Sequence, residues 1–507
     1  MESGFERRMG LKTKPPYVLS IDQGTTGSTV LLVDSYGEII ARGYRELRQH
    51  YPGPGWVEQN PVEIWEKTHH AILEVVDNSQ ISASDITAIG ITNQRETTVL
   101  WERDTGKPIY PAIVWQCRRT ADECDELKKQ GLEDTFRAKT GLVLDPYFSA
   151  TKIAWILNHV DGAREQAKTG NLAFGTVDTW LLWNLTGGAV HATDYTNASR
   201  TLLYDIERLT WDDELLDIFC IPSQILPEVD CSAQVFGAVT DLHPVLNGVP
   251  IAAIAGDQQA ALFGQLCTKP GMAKNTYGTG CFLMLNTGEE RVCSDAGLLT
   301  TLACSLDDQP VYALEGSVFI AGAAVQWLRD GIEIVNSAAE TEAIAASVED
   351  TAGVVVVPAF AGLGAPYWNP NAKGAIVGLT RGATRPHIIR ATLESIAFQT
   401  ADLVDAMTEE FGMGQNRLRV DGGAAANDFL MQFQADILGM DVERPEQIES
   451  TGLGAAFLAG LTSGVWRDIA ELESSRKVDC VFSSNMGGPE RREKLAVWKD
   501  AVRRVMI

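Results

Sequence analysis

The chain carries no Gly-x-x-x-x-Gly-Lys-[Ser/Thr] loop, no Gly-x-Gly-x-x-Gly turn after a strand, no His-Glu-x-x-His and no Gly-x-Ser-x-Gly. These absences set aside P-loop enzymes, dinucleotide folds, zinc peptidases and serine esterases. Positive charge is also scarce: 42 lysines and arginines stand against 67 aspartates and glutamates, a net charge of −25. So acidic a surface repels polyanions, which argues against nucleic acid or an anionic membrane as partner. No apolar run is long enough to span a bilayer, so no membrane insertion is expected. The nine cysteines are scattered, and neither Cys117 nor Cys124 is followed by a histidine pair at zinc-ligand spacing. Reduced thiols of a cytoplasmic protein are therefore expected. Met1 to Pro16 is charged and lacks an apolar centre, so residues 1–16 read as a disordered extension and not as a secretory signal.

What is present is an ordinary globular composition, 45 % hydrophobic and 21 % charged. At 507 residues the chain is too long for one core. Strands and helices alternate along it, an α/β pattern. Two domains are expected, 17–266 and 267–507, divided at Cys267-Thr-Lys-Pro270-Gly271.

Both halves open with the same device. In the first, the strand Tyr17–Ile21 runs into Asp22-Gln23-Gly24-Thr25-Thr26-Gly27-Ser28 and returns over Thr29–Val33. In the second, 272–286 form a hairpin tipped by Gly278-Thr279-Gly280. Glycine and threonine at a hairpin tip can wrap phosphate oxygens with backbone N–H and hydroxyl donors, and Asp22 can hold a metal directly or through water. Both are also common turn residues. Between the hairpins, the apolar run Ile251–Ala255 ends in Gly256-Asp257-Gln258. That places a carboxylate at the carboxyl end of a buried strand, where open α/β sheets bind ligands. A carboxylate and a phosphate cradle so close in sequence suggest phosphoryl transfer. Taken singly, they also suit a plain strand end and a plain turn.

Other stretches divide the same way. Ile86–Thr92 is a strand leading to Arg95-Glu96, which is either a donor–acceptor pair for a polyol or a surface ion pair. Trp115 is an apolar wall for a small ligand or a core residue. Asn60-Pro61-Val-Glu63 starts a helix whose core face is expected to hold Val62, Trp65, Ile72, Leu73 and Val76. Asp194–Arg200 reads as a polar loop, and Val318–Asp330 as a helix. Asp421-Gly422-Gly423 joins a strand to the helix Asp428–Leu438, a junction where a nucleotide can rest against backbone. The small residues from Thr451 to Gly460 suit close helix packing or a hinge.

Seven stretches, in order, resemble the FGGY carbohydrate kinases: Asp22-Gln-Gly-Thr-Thr, Ile91-Thr-Asn-Gln-Arg95-Glu96-Thr, Val114-Trp115-Gln-Cys-Arg-Arg, Tyr147-Phe-Ser-Ala-Thr-Lys-Ile-Ala-Trp155, Gly256-Asp257-Gln258-Gln, Tyr277-Gly-Thr-Gly-Cys-Phe282 and Asp421-Gly-Gly-Ala-Ala-Ala-Asn427. The resemblance implies the actin-like ATPase fold, two ribonuclease-H-like domains around a cleft that shuts on its substrates. It further implies ATP-dependent phosphorylation of glycerol to sn-glycerol 3-phosphate, the entry step of glycerol catabolism, with ATP, ADP and Mg²⁺ bound and a homo-oligomer, dimer or tetramer. By position, it makes Asp257 the general base. Arg95, Glu96, Tyr147, Asp257 and Gln258 become the hydroxyl-binding set, with Trp115 and Phe282 as apolar walls. Thr25, Thr26, Gly27, Thr279 and Gly280 meet phosphates, Gly322, Gln326, Gly423 and Asn427 contact the nucleotide, and Asp22 lies near Mg²⁺. Some members carry arginine where this chain has Thr29, so a phosphate-side cation is missing or supplied otherwise. Some members are inhibited by fructose bisphosphate at a glycine-rich loop bearing an arginine. The matching Asp241–Gly248 has neither lysine nor arginine, so insensitivity is expected. A kinase for pentuloses or gluconate would share the ATP stretches. A non-catalytic actin-like ATPase would be expected to lose Asp257.

Overall fold

The computed structural model describes residues 15–79, 81–369, 371–414 and 416–506. Nearly all of the expected amino-terminal extension lies outside the described residues. The chain divides into two compact units. The first takes residues up to Leu266 together with Cys304–Pro310 and Thr451–Arg476; the second takes Cys267–Ala303, Val311–Ser450 and Lys477 onward. The boundary expected at 266/267 puts 304–310 and 451–476 with the second half, whereas here they join the first.

The first unit is built on five strands: β1 (Tyr17–Gln23), β2 (Gly27–Val33), β3 (Ile39–Glu46), β4 (Ile86–Asn93) and β5 (Pro250–Gly256). They lie in the order β3-β2-β1-β4-β5, with a short strand Gly237–Ala238 at the β5 edge. The β1–β2 and β2–β3 pairs are antiparallel, while β1–β4 and β4–β5 are parallel. A sheet covered on both faces needs apolar side chains at successive positions. Leu19, Ile21, Val30 and Leu32 point to one face, with Ile64, Ile72 and Val75 of helix α1 (Pro61–Ser79). Val18, Leu31 and Val33 point to the other, with Leu453, Ala456, Phe457 and Trp466. Val62, expected in the core, is exposed, because the buried face of α1 runs through Ile64, Thr68, Ala71, Ile72, Val75 and Val76.

The small-residue helix Ser450–Thr462 sits very close to this sheet. A Cβ on Gly90 would stand 2.2 Å from the Ala455 carbonyl oxygen, and one on Gly454 1.8 Å from that of Ala260. Ser20 Oγ donates to the Gly452 carbonyl at 2.6 Å. These glycines serve packing: they let helix and strand backbones touch.

The second unit repeats the strand order. Its strands β6 (Ala273–Tyr277), β7 (Cys281–Gly288), β8 (Tyr312–Val318), β9 (Arg417–Asp421) and β10 (Asp441–Pro445) lie as β8-β7-β6-β9-β10, with edge strands Leu299–Leu302 and Val478–Phe482. Again the hairpin is antiparallel and the next two pairings are parallel. Val318 ends a strand here and does not open a helix; α5 starts only at Gly322 and runs to Gln326, continuing as a π-turn over Trp327–Gly331. The core gathers on the long helix α6 (Arg385–Glu410), with Leu393, Ile396, Ala397, Leu403 and Met407 inside.

Candidate active site

Three parallel strands of the first unit end side by side. Gln23 of β1 stands beside Asn93 of β4, and Asn93 beside Gly256 of β5. The residues that follow therefore emerge together at the carboxyl ends of the sheet, the edge where α/β folds place ligands. On the β1 side the hairpin tip is held from several directions. Gly24 N–H donates to the Gly27 carbonyl at 2.9 Å, Leu47 N–H to Thr26 at 2.9 Å, and Gln59 Nε2 to the Thr25 carbonyl at 2.7 Å. A Cβ on Gly27 would meet the Arg45 carbonyl and the Tyr44 ring at 2.6 Å, so only glycine fits. Asp22 and Thr25 are half-buried and Thr26 is exposed. Thr29 stands opposite Asp22 in the β1–β2 register and is buried.

Beyond β4 the chain turns sharply. Gln94 N–H donates to the Gln23 carbonyl at 2.7 Å, and Glu96 adopts a left-handed backbone with φ of 59°. A glutamate there is strained, and such strain persists only where the surroundings impose it. The turn brings Arg95 and Glu96 to one side, which an extended strand could not do. Both are almost fully buried, at 2 % and 1 %, so they are not a surface pair. Arg95 Nε lies 3.1 Å from Asp257 Oδ1 and 3.8 Å from Glu96 Oε1. Its other nitrogens donate to Gln259 Oε1 at 3.1 Å and to the Tyr147 hydroxyl at 3.4 Å.

Asp257 is the first residue of helix α4 (Asp257–Gly264), and its side chain keeps 27 % of its exposure. It is the part of this cluster that a ligand can reach. The backbone N–H of Gln258 donates to its Oδ1 at 2.7 Å. Trp115, half-buried, contacts Tyr147 edge-on with ring centres 5.5 Å apart and donates its indole N–H to Thr25 Oγ1 at 2.9 Å. One tryptophan thus joins the aromatic wall to the glycine–threonine tip.

Two cations behind this layer escaped the sequence reading. Arg200 is fully buried and donates from Nε to Glu96 Oε1 at 2.7 Å, with its guanidinium over the rings of Tyr147 and Phe148. Lys152, on helix α2 (Ser149–His159), donates to the carbonyls of Tyr147 at 2.5 Å and Glu96 at 3.4 Å. Desolvation pulls its ammonium down to about 8, with Glu96 opposing. Lys152 lies in one of the matched stretches, but nothing in its type shows that it would be buried. Arg200 belongs to the expected polar loop, and residues 192–200 are instead buried throughout, as the end of a strand and the short helix α3 (Tyr195–Ala198).

The remaining residues lie in the second unit. Its three-residue hairpin tip is closed by Gly278 N–H donating to the Gly280 carbonyl at 2.9 Å. Gly278 and Thr279 are exposed, and Gly322 and Ala323 at the start of α5 donate N–H groups to their carbonyls at 3.0 Å each. A Cβ on Gly280 would stand 2.3 Å from the Val318 carbonyl, and one on Gly322 2.6 Å from that of Gly278. Gln326 is exposed one helical turn on, and Phe282 is half-buried on β7. Gly423 is exposed, and a Cβ there would meet nothing within 4 Å, so packing does not require this glycine. Asn427 caps helix α7 (Asp428–Leu438), its side chain accepting from Leu430 N–H at 2.9 Å.

Two family models match the chain: the N-terminal domain of the FGGY family of carbohydrate kinases over residues 17–264, and its C-terminal domain over 273–463. The glycerol kinase of Alkaliphilus metalliredigens is 58 % identical over 492 residues, covering 97 % of this chain and 98 % of that protein. The glycerol kinase of Escherichia coli O8 is 57 % identical over 494 residues, covering 97 % and 98 %. Among solved structures, Plasmodium falciparum glycerol kinase with ADP superposes with a TM-score of 0.90 at 39 % identity, covering 97 % of this chain and 99 % of that one. The xylulose kinase of Lactobacillus acidophilus, at 23 % identity and a TM-score of 0.85 over 96 % and 98 %, shares the fold. The doubled strand order is thus that of the actin-like ATPase architecture, and the chain belongs to the FGGY family of carbohydrate kinases.

Proposed function

We propose that this protein phosphorylates glycerol at a terminal hydroxyl with ATP, giving sn-glycerol 3-phosphate and ADP. One observation carries the reading: the reachable Asp257 carboxylate, held 3.1 Å from Arg95 Nε, beside Glu96 and Tyr147 at the sheet's carboxyl end. The relatives named above supply the substrate class. Phosphoryl transfer demands positioning and charge stabilisation more than covalent help from the protein. Asp257 takes the proton of the attacking hydroxyl. Arg95 donates to the polyol's oxygens, Glu96 and Gln258 complete the hydroxyl pairing, and Trp115, Tyr147 and Phe282 offer apolar surface to its carbons.

The phosphates fall to the two glycine–threonine tips, Thr25-Thr26-Gly27 and Thr279-Gly280, and the nucleotide also to Gly322, Gln326, Gly423 and Asn427. The bare Cα of Gly423, with open space where a Cβ would stand, supports that role. Mg²⁺ takes one or two carboxylates and completes its shell with water and phosphate oxygens. The half-buried Asp22 beside the first tip suits that donor set. Among the described residues, the grouping of three side chains able to ligate a metal is Asp230, Cys231 and Asp308, which does not include Asp22. Bound at Asp22, Mg²⁺ would supply the positive charge that Thr29 does not.

The test is Asp257→Asn, which preserves shape and removes the base. Turnover of glycerol should drop by ~10²–10⁴ with the fold intact, the range expected for a lost general base. Glycerol affinity should change less than turnover. Near-normal kcat in a folded Asn variant would take Asp257 out of the mechanism.

A further inference from the structure

Behind the turn that presents Asp257 lies a block of polar side chains with no route to solvent. Asp194, Thr196, Asn197 and Ser232 are each 0 % exposed, as is Asn93. At its centre the Asp194 carboxylate accepts from the backbone N–H of Thr196 at 3.1 Å and of Asn197 at 3.0 Å. It also accepts from Asn197 Nδ2 at 2.9 Å, Ser232 Oγ at 2.6 Å and Thr196 Oγ1 at 2.7 Å. A carboxylate so supplied with donors fixes the Thr196 hydroxyl as a donor. The oxygen of that hydroxyl is then left to accept, and it accepts from Gly256 N–H at 2.8 Å. A directed chain results, Gly256 N–H to Thr196 O–H to Asp194, its direction set by the backbone N–H at its start.

Gly256 is the residue before Asp257, and its place is critical. A Cβ on it would lie 2.8 Å from Cγ and Cδ of Arg95 and 2.9 Å from Gln259 Oε1, so its backbone sits directly under the Arg95 side chain. The block reaches the neighbouring turn as well. Asn93 Nδ2 donates to Asn197 Oδ1 at 3.0 Å and to the Gln94 carbonyl at 3.0 Å, immediately before Arg95. A second buried carboxylate, Asp178, accepts from the same amide at 3.2 Å. Both strand ends that carry the candidate chemistry are therefore tied, by short buried bonds, to one anion.

We propose that Thr196 and Asp194 are positioning residues for Asp257, setting the Gly256 turn, and that Asn93 sets the Arg95 turn from the same block. The proposal rests on the reading of Asp257 as base. Buried networks are rigid where their members are satisfied, as both Asp194 oxygens are here, while Asn93 Oδ1 has no hydrogen-bond partner. An ångström of drift at a reacting group can cost ~10²-fold in rate. Thr196→Val keeps the shape but leaves Gly256 N–H and Asp194 without their shared partner.

The experiment is steady-state kinetics on Thr196→Val and Thr196→Ser, each alone and combined with Asp257→Asn. In the wild-type background Thr196→Val should lower kcat by ~10–100-fold with the glycerol KM moved by less than ~3-fold, while Thr196→Ser, which keeps the hydroxyl, stays within ~3-fold of wild type. In the Asp257→Asn background Thr196→Val should subtract nothing further, since it acts through that carboxylate. Wild-type kcat in Thr196→Val, equal damage in Thr196→Ser, or an undiminished further loss in the Asp257→Asn background would each overturn the proposal. Should Thr196→Val not accumulate folded, Ser232→Ala removes one donor to Asp194 from outside both turns. It should lower kcat by ~10-fold, again only when Asp257 is present, and a kcat within ~3-fold of wild type would refute the positioning role. Full turnover by Asp257→Asn alone is a different failure, that of the base assignment itself.

Discussion

At the scale of single residues, the role proposed for Arg95 and Glu96 makes specificity a matter of how completely the polyol's oxygens are paired. Arg95 and Glu96 are buried at 2 % and 1 %, and a buried donor or acceptor left without its partner is costly. Sites built on such pairing reject analogues lacking a hydroxyl by as much as ~10⁴. Propane-1,2-diol should therefore give a kcat/KM far below that of glycerol in a coupled ADP assay. Comparable values for the two, or faster turnover of xylulose, would contradict the assignment. Two of the proposed site residues stand out in the sequence because each follows an apolar run: Asp22 after Val18–Ile21, Asp257 after Ile251–Ala255. Arg200 and Lys152 were not. Their partner Glu96 lies 104 and 56 residues away in sequence, and local pattern carries no information about a contact at that separation. Asp194–Arg200 was misread because polar residues signal solvent unless a long-range network satisfies them, and here one does.

At the scale of elements, the two hairpins, the strand ending at Gly256 and the helix Asp428–Leu438 followed from apolar runs broken by glycine-rich turns. Helix α6 closes at Glu410 with Phe411 as its cap. Boundaries failed where a strand and a helix meet without a breaker, as at Val318, and the face of α1 was taken one step out of register at Val62. Helix α6 also carries Asp402, whose Oδ2 accepts from Tyr367 O–H at 2.9 Å and from the indole of Trp498, on α8 (Gly488–Val505), at 2.7 Å. One carboxyl thus fastens a loop and the last helix to the central one. Burial pushes it up to about 6 from 3.8, with the Trp498 and Tyr367 bonds and Lys499 opposing and Asp405 adding to the rise. The sign follows: the folded state holds this proton more tightly than the unfolded chain. Its stabilising contribution is complete below the unfolded value and is lost as pH rises through the folded one. Asp402→Asn carries no charge to bury, so its melting temperature relative to wild type should be higher at about pH 7.5 than at about pH 4.5. Thermal unfolding at the two pH values checks this, and an equal difference at both would show that the carboxyl titrates normally.

At the scale of the whole molecule, charge sets what can bind. The net charge is −25, and no lysine or arginine occurs between Arg208 and Lys269, the span containing Asp241–Gly248. His243, the one residue of that loop able to turn cationic, has its Nε2 3.6 Å from Asp77 Oδ1. Bisphosphate recognition leans on guanidinium or ammonium partners. Activity titrated with fructose bisphosphate at low salt should show no saturable inhibition beyond that of inorganic phosphate. A clear plateau of inhibition specific to the bisphosphate would show that basic residues from elsewhere converge there.

The path of the chain through its first unit has a consequence for how the protein is made. Residues 451–476 belong to that unit, and Gly90 meets Ala455, Gly454 meets Ala260, and the Trp466 indole donates to the Ser35 carbonyl at 3.1 Å. On a ribosome β1 and β2 emerge ahead of the rest of this unit, yet the segment that completes the cover of one face of their sheet follows some four hundred residues later, after the whole centre of the second unit has been synthesised. The half begun first is not complete until Arg476, when only the last stretch of the second remains to be made. During that interval Val18, Leu31 and Val33 lack the apolar cover of Leu453, Ala456, Phe457 and Trp466, so the nascent chain, more than the finished enzyme, is the form that needs a chaperone's shelter.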